Sequence, residues 1–477
     1  MDQKTDGTKP DLATDVCRWI ESRATAFESC RLQDPLSLSE QLAVDRMVGS
    51  AMLIGLGEMT HGSKELQLGR SRLLKFLIQE RDVSLIVLET CIAGTQSLNK
   101  FVTSGAGTAI EALTATEYWS TVNKETLEFI QWLREYNLAT SGRHRPVEVY
   151  GCDVQSLDNA KTTLLELLST YAGTGELGEG ECEAARAEVG SLPTDRELYG
   201  LIEALISSAP AAQGDGTVII GAQKRLADFL QGAKTSVERI VPSLRDLRRR
   251  LPEGSDGQTA YLFDRCTRLL EQCVAFYGGD DSGARDRFMA ENVMALRQHF
   301  RGRKLALAAH NLHLIRSSLT IRGEKFMSMG CLLRQELLEE VKVICSAFHH
   351  GTYLETPGER QGQQVAVEAY VPQAASWEFS LGEFGNSHGM RDFLLDLSVP
   401  DATSEDRSWK SKLEMRLGET GSQDSYEQCF VTLNIQEQFD GLLFIEQSSP
   451  ITVLPEYYPN ALAKWGKSEG PAATEAL

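Results

Sequence analysis

The sequence predicts an α/β fold: a mostly parallel central sheet flanked by helices, with a helical insertion forming a lid or wall over an active-site cleft. Two observations carry this expectation. Six short runs are rich in Val, Ile and Leu and do not alternate with polar residues, the pattern of strands buried on both faces of a parallel sheet. Helical patterns separate most of these runs, as they do in successive βαβ units. The runs are "MLIGLG" (52–57), "SLIVLE" (84–89), "VEVYGCD" (147–153), "KLALAAH" (304–310), "VKVICSAF" (341–348) and "GLLFIEQ" (441–447).

The elements follow in chain order. Residues 1–45 read as an N-terminal helical lead-in, and the opening "MDQKTDGTKPDLATD" lacks the apolar core of a signal peptide. Residues 46–155 hold the first three runs and form the first half of the core. Residues 156–300 show helical periodicity, in "NAKTTLLELLSTYA", "ELYGLIEALISS" and "TAYLFDRCTRLLEQCVAFY", broken by Gly-rich stretches such as "GTGELGEGE". They read as the helical insertion. Residues 301–460 form the second half of the core, with an irregular stretch at 350–430. Residues 461–477 read as a disordered tail. There is no internal repeat.

At 477 residues and 42% hydrophobic, the chain suffices for one large domain with an insertion or for two domains. The formal charge is −19, from 48 basic and 67 acidic residues. Such a surface repels phosphate backbones, so no nucleic-acid partner is expected. No apolar run approaches the roughly 20 residues of a spanning helix, so no membrane partner is expected either. Ten cysteines stand singly, with no C-x-x-C pair. They read as reduced core thiols of a cytoplasmic protein.

The strand ends carry the chemistry. The first run ends in Glu58, the second in Glu89, the third in Asp153, and the fourth in His310, followed by Asn311 and His313. Ligands of open α/β sheets bind beyond the carboxyl ends of the strands. One polar strand end is ordinary capping; four such ends point to a site. After the first corner, "GLGEMTHGSKE", a helix is expected from near Ser63, which can cap it. Its apolar stripe holds Leu66, Leu73, Leu74 and Leu77, and Arg70 falls within that stripe. A buried guanidinium requires an acceptor, with Glu58, Glu89 and Asp153 as candidates. The start of that helix would aim N–H groups at the same site.

Three of eight histidines, His61, His310 and His313, lie at predicted strand ends. Two chemistries are open. Glu58, His61, His310 and His313 could hold zinc, although their spacing matches no motif such as H-E-x-x-H. Alternatively, a histidine with a pKa near its usual value of about 6.5 suits proton transfer at neutral pH. His349 and His350 read as the end of a strand. No G-x-S-x-G elbow follows any of the six runs, which argues against a serine esterase of the usual α/β-hydrolase type. "GLGEMTHG" matches the dinucleotide-binding G-x-G-x-x-G only at its first two glycines, and there is no P-loop.

In order, "LGEMTHGSKEL", "LETCIAG", "QWLREYN", "YGCDV", "RDRFMAENV", "AHNLHL", "SMGCLLRQEL" and "FDGLLFIEQSSP" resemble the erythromycin esterase family over about residues 50–455. The resemblance implies an α/β core with a helical part over a deep cleft. It implies ester hydrolysis by histidine-activated water, without a serine nucleophile, a cofactor or an obligatory metal. His61 then stands at the general base and Glu58 at its partner carboxylate. Arg70 and Glu89 line the cleft, and His310 and His313 are the paired histidines. Arg285, Asp153 and Asn311 are expected to contact substrate.

The expected function is hydrolysis of an ester or lactone bond in a natural-product-type substrate, a small molecule or a modified peptide. In this mechanism His61 takes a proton from water, Glu58 or Glu89 fixes its tautomer, and Arg70 orients a carboxylate or the water. His310, His313 or the helix N-terminus serves the oxyanion, and either of those histidines could exchange roles with His61. The rivals are a biosynthetic enzyme that transfers the acyl group or cleaves a modified peptide, a metallohydrolase, and a binding protein without activity. The sequence does not fix the oligomeric state.

Overall fold

Each of the six apolar runs forms a strand. The computed structural model describes residues 12–208, 217–251, 257–279, 283–321, 324–355, 364–401, 408–417 and 426–458. The tail expected at 461–477 lies outside the described residues. The strands are β1 (Ala24–Ala26), β2 (Leu53–Glu58), β3 (Val83–Cys91), β4 (Glu148–Asp153), β5 (Lys304–His310), β6 (Leu319–Ile321), β7 (Glu324–Phe326), β8 (Val341–Glu355), β9 (Val365–Glu368), β10 (Phe393–Asp396), β11 (Glu414–Arg416), β12 (Phe430–Thr432) and β13 (Gly441–Ser448). The fold is mixed α/β, with a large, mostly parallel central sheet flanked by helices.

The chain divides into two compact units. The first comprises Met1–Val83, Ala306–Pro357 and Gln364–Thr452; the second comprises Ser84–Leu305, Gly358–Gln363 and Val453–Leu477. These boundaries group β3 and β4 with the long helical segment.

In the first unit the strands run in the order β1, β10, β13, β8, β2, β5. β13 and β2 flank β8 in parallel, while β10 runs antiparallel to β13 and β1 antiparallel to β10. Every residue of β2 is buried, which explains why its sequence does not alternate. The helix Lys64–Glu80 buries Leu66, Gln67, Gly69, Leu73, Leu74 and Leu77. Gly69 sits so close to β13 that a Cβ there would meet Leu443 at 2.8 Å.

Three expectations need correction here. The lead-in is not purely helical, because Ala24–Ala26 pairs with Phe393–Leu395 as an edge strand. β8 does not end at His349 and His350 but continues to Glu355 and pairs there with β9. The stretch 350–430 is less irregular than its composition suggests: it contains β9, β10, β11 and the helix Trp377–His388.

In the second unit β3 and β4 pair in parallel. From Leu157 to His299 the described residues form helices only: Leu157–Thr174, Glu179–Gly190, Asp195–Ser208, Thr217–Arg249, Gly257–Gly278 and Ala284–His299. Leu164, Leu168, Val189, Val237, Ile240, Leu244, Phe263 and Leu270 form their shared core. Ser156 caps the first of these helices, accepting from Asn159 N–H. Among the described residues no helix is long and apolar enough to cross a membrane.

Candidate functional site

The corner after β2 is built on close backbone approach. Its residues Glu58 to His61 leave the carboxyl end of a fully buried strand and enter the helix Lys64–Glu80. At Gly62 a Cβ would lie 1.7 Å from Leu354 O, and at Gly57 it would lie 2.2 Å from Asn311 Oδ1 and 3.2 Å from Cys345 Cα. Only glycine fits at Gly62, because its obstacle is backbone. The Gly62 carbonyl accepts from Leu354 N–H and Ile451 N–H, at 3.1 and 2.9 Å. The turn is therefore pinned immediately after His61.

On this frame three side chains form a line. Glu58 Oε1 lies 2.7 Å from His61 Nδ1, and Glu58 Oε2 lies 2.7 Å from Arg70 Nη1. An ionised carboxylate only accepts, so Nδ1 of His61 carries the hydrogen. Glu58 is buried and its side chain is 5% exposed, whereas the His61 side chain is 22% exposed. Arg70 sits on the buried stripe, as the sequence suggests, and Glu58 is its ion-pair partner. Gln67, 2% exposed, donates from Nε2 to the His61 carbonyl at 3.1 Å.

β5 delivers the other imidazoles. The His310 ring stands 5.4 Å from the His61 ring, edge to face, and 6.4 Å from the His313 ring. His310 Nε2 lies 2.8 Å from Met59 O, and Leu312 N–H donates to His310 Nδ1 at 3.2 Å. Glu58, His61, Arg70, His310 and His313 thus come together in the first unit.

Asn311 has a different place. It is fully buried, donating from Nδ2 to Ser346 O at 2.7 Å and accepting from Ser346 N–H at 3.2 Å. It ties the end of β5 to β8. Ser63 also departs from expectation. It precedes the helix but makes no side-chain cap; its Oγ hydrogen-bonds Ser448 Oγ at 2.5 Å. The first helical N–H, that of Lys64, donates to Ser449 O at 2.8 Å, so it is not aimed at a ligand.

Glu89, Asp153 and Arg285 form a constellation in the second unit. Arg285 grips Asp153 with Nε and Nη2, at 3.0 and 2.8 Å, and reaches Glu89 Oε1 with Nη2 at 2.8 Å. Burial alone would weaken this cation, but Asp153 and Glu89 outweigh it and hold the Arg285 guanidinium firmly charged. Asp153 is fully buried. It also accepts from Tyr118 OH at 3.1 Å and from Val154 N–H at 2.7 Å. It supports Arg285 through both carboxylate oxygens. Burial pushes the Tyr118 hydroxyl well above its usual pKa, with the Asp153 charge adding to it, so Tyr118 remains a donor.

Sequence reading missed Gln67 and Tyr118. The signal for Gln67 was a polar residue on a buried helical stripe. For Tyr118 no local signal exists. Two motif spellings occur elsewhere in the chain, in other settings. G-x-S-x-G is spelled at Gly385–Gly389 and Gly466–Gly470. The first closes the helix Trp377–His388, where Ser387 Oγ donates to Glu383 O, so it is no strand-to-helix elbow; the second lies outside the described residues. G-x-G-x-x-G occurs at Gly173–Gly178, between two helices and after no strand. Among the described residues no group of three or more His, Cys, Asp or Glu side chains is arranged to hold a metal ion.

Residues 78–448 match the family model described as erythromycin esterase. The chain is 23% identical over 326 residues to an erythromycin esterase type I of Escherichia coli, covering 66% of this chain and 74% of that protein. It is 20% identical over 457 residues to an erythromycin esterase type II of Escherichia coli, covering 92% and 99%. Among solved structures, a protein from Bacillus cereus superposes with a TM-score of 0.71 at 19% identity, over 93% of this chain and all of that one. A mutant erythromycin esterase in its open conformation superposes with a TM-score of 0.63 at 20% identity, over 90% and 98%. At these identities the structures speak for the fold alone.

Proposed function

The chain belongs to the erythromycin esterase family, and from that premise we propose that it is an esterase-like hydrolase that opens an ester or lactone bond of a natural-product-type small molecule. The observation that supports this reading is the line Arg70–Glu58–His61. With Nδ1 committed to Glu58 at 2.7 Å, the lone pair of His61 resides on Nε2. That nitrogen takes the proton of a water molecule as its oxygen bonds to the acyl carbon. The carbon–oxygen bond to the alcohol then breaks, and the imidazolium returns its proton to the leaving alkoxide. General-base assistance of this kind contributes about 10²–10⁴-fold.

Glu58 holds the ring and stabilises the imidazolium, as the acidic member of a catalytic triad does. Arg70 forms an ion pair with the second carboxylate oxygen at 2.7 Å and so places a positive charge beside Glu58. Glu89 is not needed for this task, since its carboxylate is engaged by Arg285. His313, whose ring stands 6.4 Å from that of His310, is the imidazole this reading gives to the oxyanion.

The test is a panel of macrolide lactones, other lactones, simple esters and modified peptides, incubated with the purified protein and followed by mass spectrometry. The names of the Escherichia coli relatives put erythromycin on that panel. The reading expects at least one member to gain one water. A panel bound tightly but unchanged, or an acyl group passed to an added acceptor with little free acid formed, would overturn it.

A further inference from the structure

His61 and His310 are neighbours with opposite surroundings. His61 meets a carboxylate. His310 meets a backbone carbonyl on one nitrogen and a backbone amide on the other. A backbone N–H can only donate, so Leu312 requires a lone pair on His310 Nδ1. A carbonyl can only accept, so Met59 O requires a hydrogen on His310 Nε2. The two requirements are independent and name the same species, a neutral imidazole protonated at Nε2.

We propose that His310 stays in this neutral tautomer throughout the reaction and acts as a positioning residue, not as an acid or a base. A second proton on Nδ1 would face the Leu312 N–H donor to donor. It would also remove the cap of the short helix Asn311–Leu314, which the His310 side chain supplies. The ring is 5% exposed, so water cannot take over either bond. The imidazoles that flank it, His61 at 5.4 Å and His313 at 6.4 Å between ring centres, would each oppose a further proton on His310 when charged.

The consequence is mechanical. The Nε2–H bond to Met59 O ties the residue after Glu58 to the end of β5, across 251 positions of sequence. Gln67 and Gly62 hold the chain at and after His61. His310 thus sets the height of the Glu58–His61 corner, and its ring edge gives His61 a wall at 5.4 Å. The effect on rate rests on His61 being the base; the tautomer rests on geometry alone.

Two measurements test this. The first is long-range ¹H–¹⁵N correlation on protein labelled at histidine, from pH 5.5 to 8.5, with His310 assigned from the peak lost in His310→Gln or, should that variant not fold, in His310→Asn. His310 should show a protonated Nε2 and a bare Nδ1 at every pH, even if no substrate is ever found. A doubly protonated ring within that range, or a hydrogen on Nδ1, overturns the proposal.

The second is the pH dependence of kcat/KM for His310→Gln, whose side-chain amide can still donate to Met59 O. The profile should keep the acid limb of the wild type at the same pH, with a lowered plateau. Loss of that limb would make His310 the base. If the limb survives His61→Ala instead, the reading of His61 fails while the tautomer of His310 stands.

Discussion

Arg70 Nη1 and His61 Nδ1 meet opposite oxygens of one buried carboxylate, that of Glu58, each at 2.7 Å. This shared group converts an ordinary histidine into an oriented one. Glu58→Gln should therefore lower kcat by roughly 10²–10⁴-fold, because an amide does not stabilise the imidazolium and does not impose one tautomer. Circular dichroism should show the fold retained. The measurement is steady-state kinetics on whichever ester the wild type cleaves.

Gly62→Ala attacks the frame instead of the chemistry. The added Cβ falls 1.7 Å from a backbone oxygen of β8, which cannot swing aside. Overpacking of this type costs about 1–3 kcal/mol or more. Urea denaturation should show that loss, with activity falling alongside it. Unchanged stability would mean that the turn is looser than described.

Asp153→Ala probes the second constellation. It leaves Arg285 with Glu89 and strips the bidentate partner from a charge that burial disfavours. Breaking a buried pair by removing one partner costs about 3–5 kcal/mol. The expected readout is a lower urea midpoint, with the loss largely recovered in Asp153→Asn, which can still accept from Arg285.

A buried acid outside the candidate site sets a pH dependence of stability. Glu378 is 1% exposed, and burial raises its carboxyl from the usual 4.5 to about 7, against the opposing Arg416 amide and charge. Below pH 4.5 both folded and unfolded chains hold this proton. Between 4.5 and about 7 the unfolded chain has released it and the folded chain has not, so stability falls as the pH rises and then levels off. The loss is about 3 kcal/mol. Glu378→Gln should remove it: the variant should match wild type near pH 4.5 and exceed it at pH 8 in thermal or urea melts.

What was legible in the sequence was whatever depends on near neighbours. Leu53–Glu58 reads as a buried strand because each residue is apolar, glycine or the terminal acid, and the strand is buried throughout. Arg70 declares its need for a carboxylate from its place on an apolar stripe. The choice among Glu58, Glu89 and Asp153 was not legible, because it depends on which strands lie together. Ser63 was misread as a cap because its partner, Ser448, lies 385 positions away. Ala24–Ala26 is too short and too weakly apolar to read as a strand, and it is one only through its pairing with Phe393–Leu395. The tautomer of His310 depends on Met59 O for the same reason. Composition marks reactive groups, and only tertiary pairing distributes the protons among them.

The most direct test of the central claim is the ratio of kcat/KM between wild type and His61→Ala on an ester that the wild type hydrolyses, at equal fold content. The account expects a loss of at least about 10²-fold. Equal rates would contradict it, because the reaction would then not need His61 as its base.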